Sequence, residues 1–192
     1  MKYLYKIICD LIIAIVLFSG LSYPGPSSSL DARIADFLVT QNTKDVLVYF
    51  TVRNCFTKKI EEAVLAGIPT SFTFLIEMYR ERPIWNSTLS SLEIRHTIKY
   101  DNVRNTFYVS YSEQGGVPVE FRDLESAKRA MADLNGVPIA SLSAIKKEIP
   151  YVIKAKAKLA KVRMPLKMEY VFFFVSLWDF ETDWFKQGFI YK

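Results

Sequence analysis

The sequence predicts a mainly β fold, an antiparallel β-sandwich-like domain with two short inserted helices, on three observations. Apolar and polar residues alternate with a period of two in segment after segment, as in strands with one buried face. Turn-forming pairs separate those segments. Only two stretches, at about 57–66 and 124–134, change to helical spacing, which suits an antiparallel arrangement better than a parallel sheet with its helical crossovers.

In chain order, the first strand is Asp45 to Val52, with Val46, Val48, Phe50 and Val52 on one side. The first helix runs from Thr57 to Ala66, where Ile60, Ala63 and Val64 make an apolar stripe and Gly67 a stop. Lys58 and Lys59 stand at the end of that helix where the dipole disfavours cations. Alternation returns in Phe72 to Met78 and is cleanest in Leu92 to Tyr100, whose even positions are apolar or aromatic apart from His96. The pair Asp101-Asn102 suits a turn and predicts a hairpin with Val103 to Tyr111. Gln114-Gly115-Gly116 turns the chain into Val117 to Phe121. Asp123 is an N-cap residue, and Leu124, Ala127, Met131 and Leu134 follow at helical spacing up to Asn135-Gly136.

Tyr151 to Met164 has a helix former's composition but a strand's pattern. Tyr151, Ile153, Ala155, Ala157 and Leu159 alternate with Lys154, Lys156 and Lys158, and then the phase flips, which predicts a β-bulge near Leu159-Ala160. Tyr170 to Phe180 is almost continuously apolar, as in a central strand, and Trp184 to Tyr191 closes the chain as a strand.

Ahead of these elements, Lys2 and Lys6 precede the apolar run Leu11 to Phe18 and the small residues Ser19 to Ser22, the parts of a bacterial export signal. Residues 1–22 are read as a signal peptide cut after Ser22 or as a retained inner-membrane anchor. Cutting agrees with the short apolar run and with Asp10, since a spanning helix wants about 20 apolar residues. Residues 23–29 form a Pro/Gly/Ser tether and 30–192 a single domain. The expected location is periplasmic, or extracytoplasmic more generally. Cleavage removes Cys9 and leaves Cys55 alone, so no disulfide is expected within the mature chain. A mature domain of roughly 165 residues is large enough to be held by its core, burying about 70% of its unfolded surface. Without Lys2, Lys6 and Asp10, 23 basic and 19 acidic side chains remain, and an excess of +4 implies no nucleic-acid partner.

No catalytic set stands out. The single histidine, His96, lies on an apolar strand face, where a core histidine bonded to a nearby acceptor is the plain reading. With one histidine and no cysteine pair, zinc sites of the Cys/His kind and histidine-based triads lack their parts, and no dinucleotide or phosphate-loop motif is present. No catalytic residue and no cofactor are expected. Cys55 precedes a helix start, where a thiol can be activated, but a lone cysteine is more often buried and inert. The densest acidic group is Asp179, Glu181 and Asp183, spaced two apart among aromatics, either a polar turn or a weak candidate site for calcium or a small ligand. Arg80, Arg82 and Trp85 combine side chains favoured in interaction hot spots. Lys154, Lys156 and Lys158 form a row that would face an acidic partner or headgroup, or guard the edge of a sheet.

Several segments resemble the bacterial envelope proteins grouped as domain of unknown function 4390: Leu65-Ala66-Gly67-Ile68-Pro69, the Arg80/Arg82/Trp85 cluster, Phe121 with Leu124 and Ala127, Arg163 to Leu166, and Phe174 to Trp184. The last is long enough to be fairly specific, and the likeness spans most of positions 31 to 192. The second tryptophan that often follows Trp85 in that family is Asn86 here. The resemblance implies a short exported or membrane-anchored protein whose function is not established, with no catalytic residue to carry over and some members encoded near two-component sensors. The expected role is binding of an envelope protein or membrane-surface partner without catalysis. The alternatives are a metal or small ligand at the 179–183 carboxylates, or an accessory to a membrane sensor.

Overall fold

The computed structural model describes residues 31–82, 85–160 and 180–191. The leader, the tether, the strand expected over most of 170–180, Asp179 and the phase flip after Ala160 lie outside them. Nine strands and two helices follow in order: β1 Arg33–Gln41, β2 Asp45–Arg53, α1 Lys58–Leu65, β3 Thr70–Arg80, β4 Ser87–Asp101, β5 Thr106–Tyr111, β6 Pro118–Phe121, α2 Leu124–Ala132, β7 Asp133–Ser141, β8 Pro150–Leu159 and β9 Phe185–Ile190. They form two sheets, one ordered β1-β2-β7 and the other β6-β5-β4-β3-β8-β9, and every strand pair is antiparallel. The fold is thus mainly β with two helices, as the alternation predicts.

The sheets meet through the faces that alternation marks as apolar. Phe72, Phe74, Ile76 and Met78 of β3 are fully buried, and across the ladder they lie beside Leu159, Ala157, Ala155 and Ile153 of β8. From the smaller sheet, Val46, Val48, Phe50 and Val52 of β2 are buried in the same core cluster. Phe50 meets Phe74 edge-on at 5.7 Å, and Phe37 of β1 lies against both Phe50 at 5.6 Å and Phe185 of β9 at 4.8 Å. Aromatic pairs in such geometries contribute about 0.5–1.5 kcal/mol each beyond area burial.

Both helices begin where their caps predict. The Thr57 hydroxyl accepts from the Ile60 amide at 3.0 Å, and the Asp123 carboxylate accepts from the Ser126 amide at 2.8 Å. That hydrogen bond, first among several causes, holds the Asp123 carboxyl below its usual range. α1 ends at Gly67, whose φ of +79° a side chain would strain.

The structure departs from the sequence expectations at several points, beginning with a strand ahead of Asp45. β1 carries no clean alternation because its register shifts between Ala35 and Leu38, around Asp36 at φ +54°. α2 ends at Ala132 rather than about 134, and Leu134 enters the core from strand β7. Asn135-Gly136 is therefore an irregularity inside β7, with Gly136 at φ +68°, and not the stop of a helix. The β4–β5 hairpin exists, but the Asp101 carboxylate accepts from the amides of Val103 and Arg104, so β5 starts at Thr106 and the positive φ falls on Asn105. Finally, β8 keeps an unbroken register against β3 to Leu159, and the bulge expected near Leu159-Ala160 falls where the chain passes out of the described residues. A separate one-residue slip lies on the β9 side, between the pairs Ala155–Phe185 and Lys158–Glu181.

A candidate interaction surface on the outer face of the larger sheet

The face of the six-stranded sheet turned away from the core is polar, and the lysine row stands on it. Lys154, Lys156 and Lys158 alternate with the buried Ile153, Ala155, Ala157 and Leu159, so all three project outward. β8 is an inner strand there, paired with β3 on one side and β9 on the other, so the row does not guard an edge. The Lys154 ammonium lies 2.9 Å from the Glu77 carboxylate across the β3 ladder and 4.3 Å from the centre of the Trp184 ring. Lys156 bonds Glu181 and sits 5.7 Å from the same ring. The tract is therefore a tryptophan beneath two ammonium groups, with a carboxylate beside each. Cation–π contacts of this kind contribute about 0.5–1 kcal/mol where solvent reaches them.

This arrangement joins two groups that the sequence presents separately. Glu181 and Asp183 flank the buried Thr182 and are exposed. The Lys156 hydrogen bond holds the Glu181 carboxyl below its usual value. The Thr182 hydroxyl donates to the Asp183 backbone carbonyl at 3.0 Å and accepts from the Ala157 amide, which fixes the segment against β8. Asp179 lies outside the described residues. Among those described, no three His, Cys, Asp or Glu side chains come together as a metal would require.

Arg80 ends β3 half-buried, while Arg82 and Trp85 are exposed between β3 and β4. Trp85 is 69% exposed. Among the described residues no hydrogen bond or cation–π contact links Arg80, Arg82 or Trp85 to the lysine tract. Tyr79, next to Arg80, lies 5.9 Å beneath Lys154 and is the nearest connection.

His96 is a core histidine, 1% exposed, with both ring nitrogens engaged. Nδ1 donates to the Met131 carbonyl at 3.1 Å, since a carbonyl only accepts, and Nε2 pairs with Glu113 Oε1 at 3.0 Å. Phe74 and Tyr111 meet the ring edge-on, each at 4.8 Å. Beside it, Tyr111, Glu113, Gln114, Asp133 and Asn135 line a polar cavity of about 280 Å³. Burial, then the charges of Glu113 and Asp133, raise the Tyr111 phenol. Cys55 is buried and donates to the Val52 carbonyl at 3.2 Å, and burial pushes its thiol up to about 12. Such a thiol is the reverse of an activated one.

The model of Domain of unknown function (DUF4390) matches residues 30–187. The chain belongs to the DUF4390 family. No curated protein and no solved structure matches it. In this DUF4390 domain the matched span covers both helices, β1 to β8 and the first half of β9. No helix among the described residues is long and apolar enough to cross a membrane.

Proposed function

We propose that this DUF4390 protein is a non-enzymatic envelope domain that holds a protein partner on the outer face of its larger sheet and at the adjoining Trp85 turn. The observation that carries the reading is the Lys154–Trp184–Lys156 tract, which offers two ammonium groups over an aromatic ring on a polar sheet face. Aromatic and basic side chains in one patch are what protein interfaces concentrate at their hot spots. The export-type N-terminus supports an envelope setting, and a retained anchor there would suit an accessory to a membrane sensor. Glu181 already bonds Lys156, which favours the partner reading over a cation at the 179–183 carboxylates.

The test is recovery of partners from the envelope fraction by the wild-type protein, by Lys156→Glu and by Arg82→Ala/Trp85→Ala. Loss of a specific partner in both variants, with unchanged thermal unfolding, is expected. Equal recovery by all three removes the proposal. N-terminal sequencing of the purified protein separates the versions: a mature start at Tyr23 removes the anchored sensor accessory.

A further inference from the structure

We infer that the cavity between the end of β5, the C-terminus of α2 and the start of β7 binds a small organic cation, an alkylammonium or alkylguanidinium group, with Asp133 as its counter-ion. The site goes beyond the partner reading above and is separate from it. Tyr111, in its wall, pairs with the buried His96 on the core side of the larger sheet, opposite the lysine tract.

The cavity holds about 280 Å³ and is walled by Tyr111, Glu113, Gln114, Ala130, Asp133 and Asn135. Its charged side chains are two carboxylates, and its neutral polar ones, a phenol and two amides, each carry an oxygen that accepts. Burial and then the charges of Glu113 and Asp133 raise the Tyr111 phenol, so both carboxylates bear on the same ring. The helix is a third source of negative potential. Asp133 is the C-cap of α2, the end where the dipole favours cations and disfavours a carboxylate. The basic residues of that helix are engaged elsewhere: Arg129 bonds back to Ser126, and Lys128 bonds Glu61 and Glu125.

Hydrogen bonding fixes how much of that charge is left over. The Met131 carbonyl only accepts, so Nδ1 of His96 carries a proton, and the contact between Nε2 and Glu113 needs a second one, on the ring or on the carboxyl. In either form the His96–Glu113 pair is neutral. Asp133 is met by the Thr51 hydroxyl at 2.7 Å, which donates a hydrogen bond but no charge. The lining residues therefore leave the Asp133 charge facing the cavity, and it calls for one positive group. A calcium ion is a poor match, since it takes about 6–8 oxygens and among the described residues no three His, Cys, Asp or Glu side chains converge. A single water occupies only about 30 Å³, whereas ligand pockets begin near roughly 300 Å³. The volume thus suits one cationic head with a short apolar tail, the head donating to Asp133, Gln114 and Asn135 and the tail lying against Ala130 and the Tyr111 ring.

The test titrates the full-length protein, as the cell processes it, with n-butylguanidinium and n-butylammonium chloride, beside sodium butyrate and n-butanol as anionic and neutral forms of the same chain. Both cations are expected to bind and to move the amide resonances of Tyr111, Gln114 and Asn135, while butyrate and butanol leave them in place. Asp133→Asn keeps an oxygen for Thr51 and should weaken cation binding about tenfold. Gln114 is exposed at the end of the single turn Ser112–Gln114, so Gln114→Lys is expected to fold as the wild type does and to abolish binding by placing an ammonium in the cavity. The acetylated and amidated tripeptide Gly-Arg-Gly identifies the source of the cation. Binding at least as tight as that of butylguanidinium assigns the site to an arginine of a protein, weaker binding assigns it to a free small molecule, and both uphold the inference. Resonances unmoved by either cation overturn it, as do equal binding of butanol, equal affinities in the wild type and both variants, or calcium chloride binding at these residues in place of the cations. Loss of the outer-face partner in Lys156→Glu leaves this site untouched, so the two proposals fail separately.

Discussion

Raising the pH should weaken the fold through one side chain, Cys55, by an amount that follows from its surroundings. The thiol is 3% exposed and donates to the Val52 carbonyl, so ionisation would place a charge among apolar groups and lose the donor. Burial moves its pKa from 9.0 to about 12. Because the folded value is the higher one, the associated stability is fully present below pH 9 and is lost as the unfolded thiol ionises above it. Three pH units correspond to at most about 4 kcal/mol, and about half of that should be gone near pH 10.5. Lysines and tyrosines titrate in the same range, so the measurement is a difference: urea unfolding of Cys9→Ala beside Cys9→Ala/Cys55→Ala, from about pH 8 to pH 11. The gap between the two should close, or invert, by at most about 2.7 kcal/mol at the upper end. A gap constant within about 0.5 kcal/mol would show that the thiolate is solvated in the folded state and that the burial argument is wrong.

Other outcomes follow from named contacts. Gly136→Ala should lower stability by about 1–2 kcal/mol, since its Cβ would sit 3.0 Å from the Tyr49 hydroxyl at a φ of +68°; Tyr49→Phe in the same chain should recover part of the loss in thermal melts. His96→Leu leaves the Met131 carbonyl and Glu113 without their partner and should cost about 2–4 kcal/mol in denaturant unfolding, and a cost under about 1 kcal/mol would mean water replaces the ring. Glu181 should titrate below the usual glutamate range by NMR, and Lys156→Met should return it there. Its small contribution to stability is present above the unfolded value and fades as pH falls through the folded one, so unfolding below about pH 4 should lose that difference between wild type and Lys156→Met.

What the sequence reveals depends on whether a segment's neighbours repeat its own pattern. β2, β3 and β8 are legible because their buried faces keep a period of two, β5 and β6 because turn residues precede them, and the caps Thr57 and Asp123 place both helix starts. β4 is legible only from Leu92 onward, because Leu89 is the extra residue where Met78–Ser90 gives way to Tyr79–Thr88 and the phase is lost before it. β7 contains Asn135-Gly136 and Pro138, residues that punctuate chains when no partner strand is known. In the candidate surface, the lysines, Glu181 and Trp184 are each visible as local patterns, but their union depends on β8 lying between β3 and β9, a pairing that spacing along the chain does not contain. Gly136 and His96 likewise take their meaning from residues far away in sequence.

The position of β2 sets the order in which this molecule can be finished. Its second neighbour is β7, and the Thr51–Asp133 hydrogen bond joins residues 82 positions apart. β3 waits similarly for β8, whereas β3 to β6 form a run of successive antiparallel neighbours that can assemble from nearby chain alone. A growing or threading polypeptide that has emerged only through α2 therefore has a meander of four strands but cannot close the shared core, and Val46, Val48 and Phe50 stay without their cover. Late completion keeps the first half of the chain open until the last third arrives. Truncation before β7 should accordingly yield an aggregating product, not a smaller folded domain.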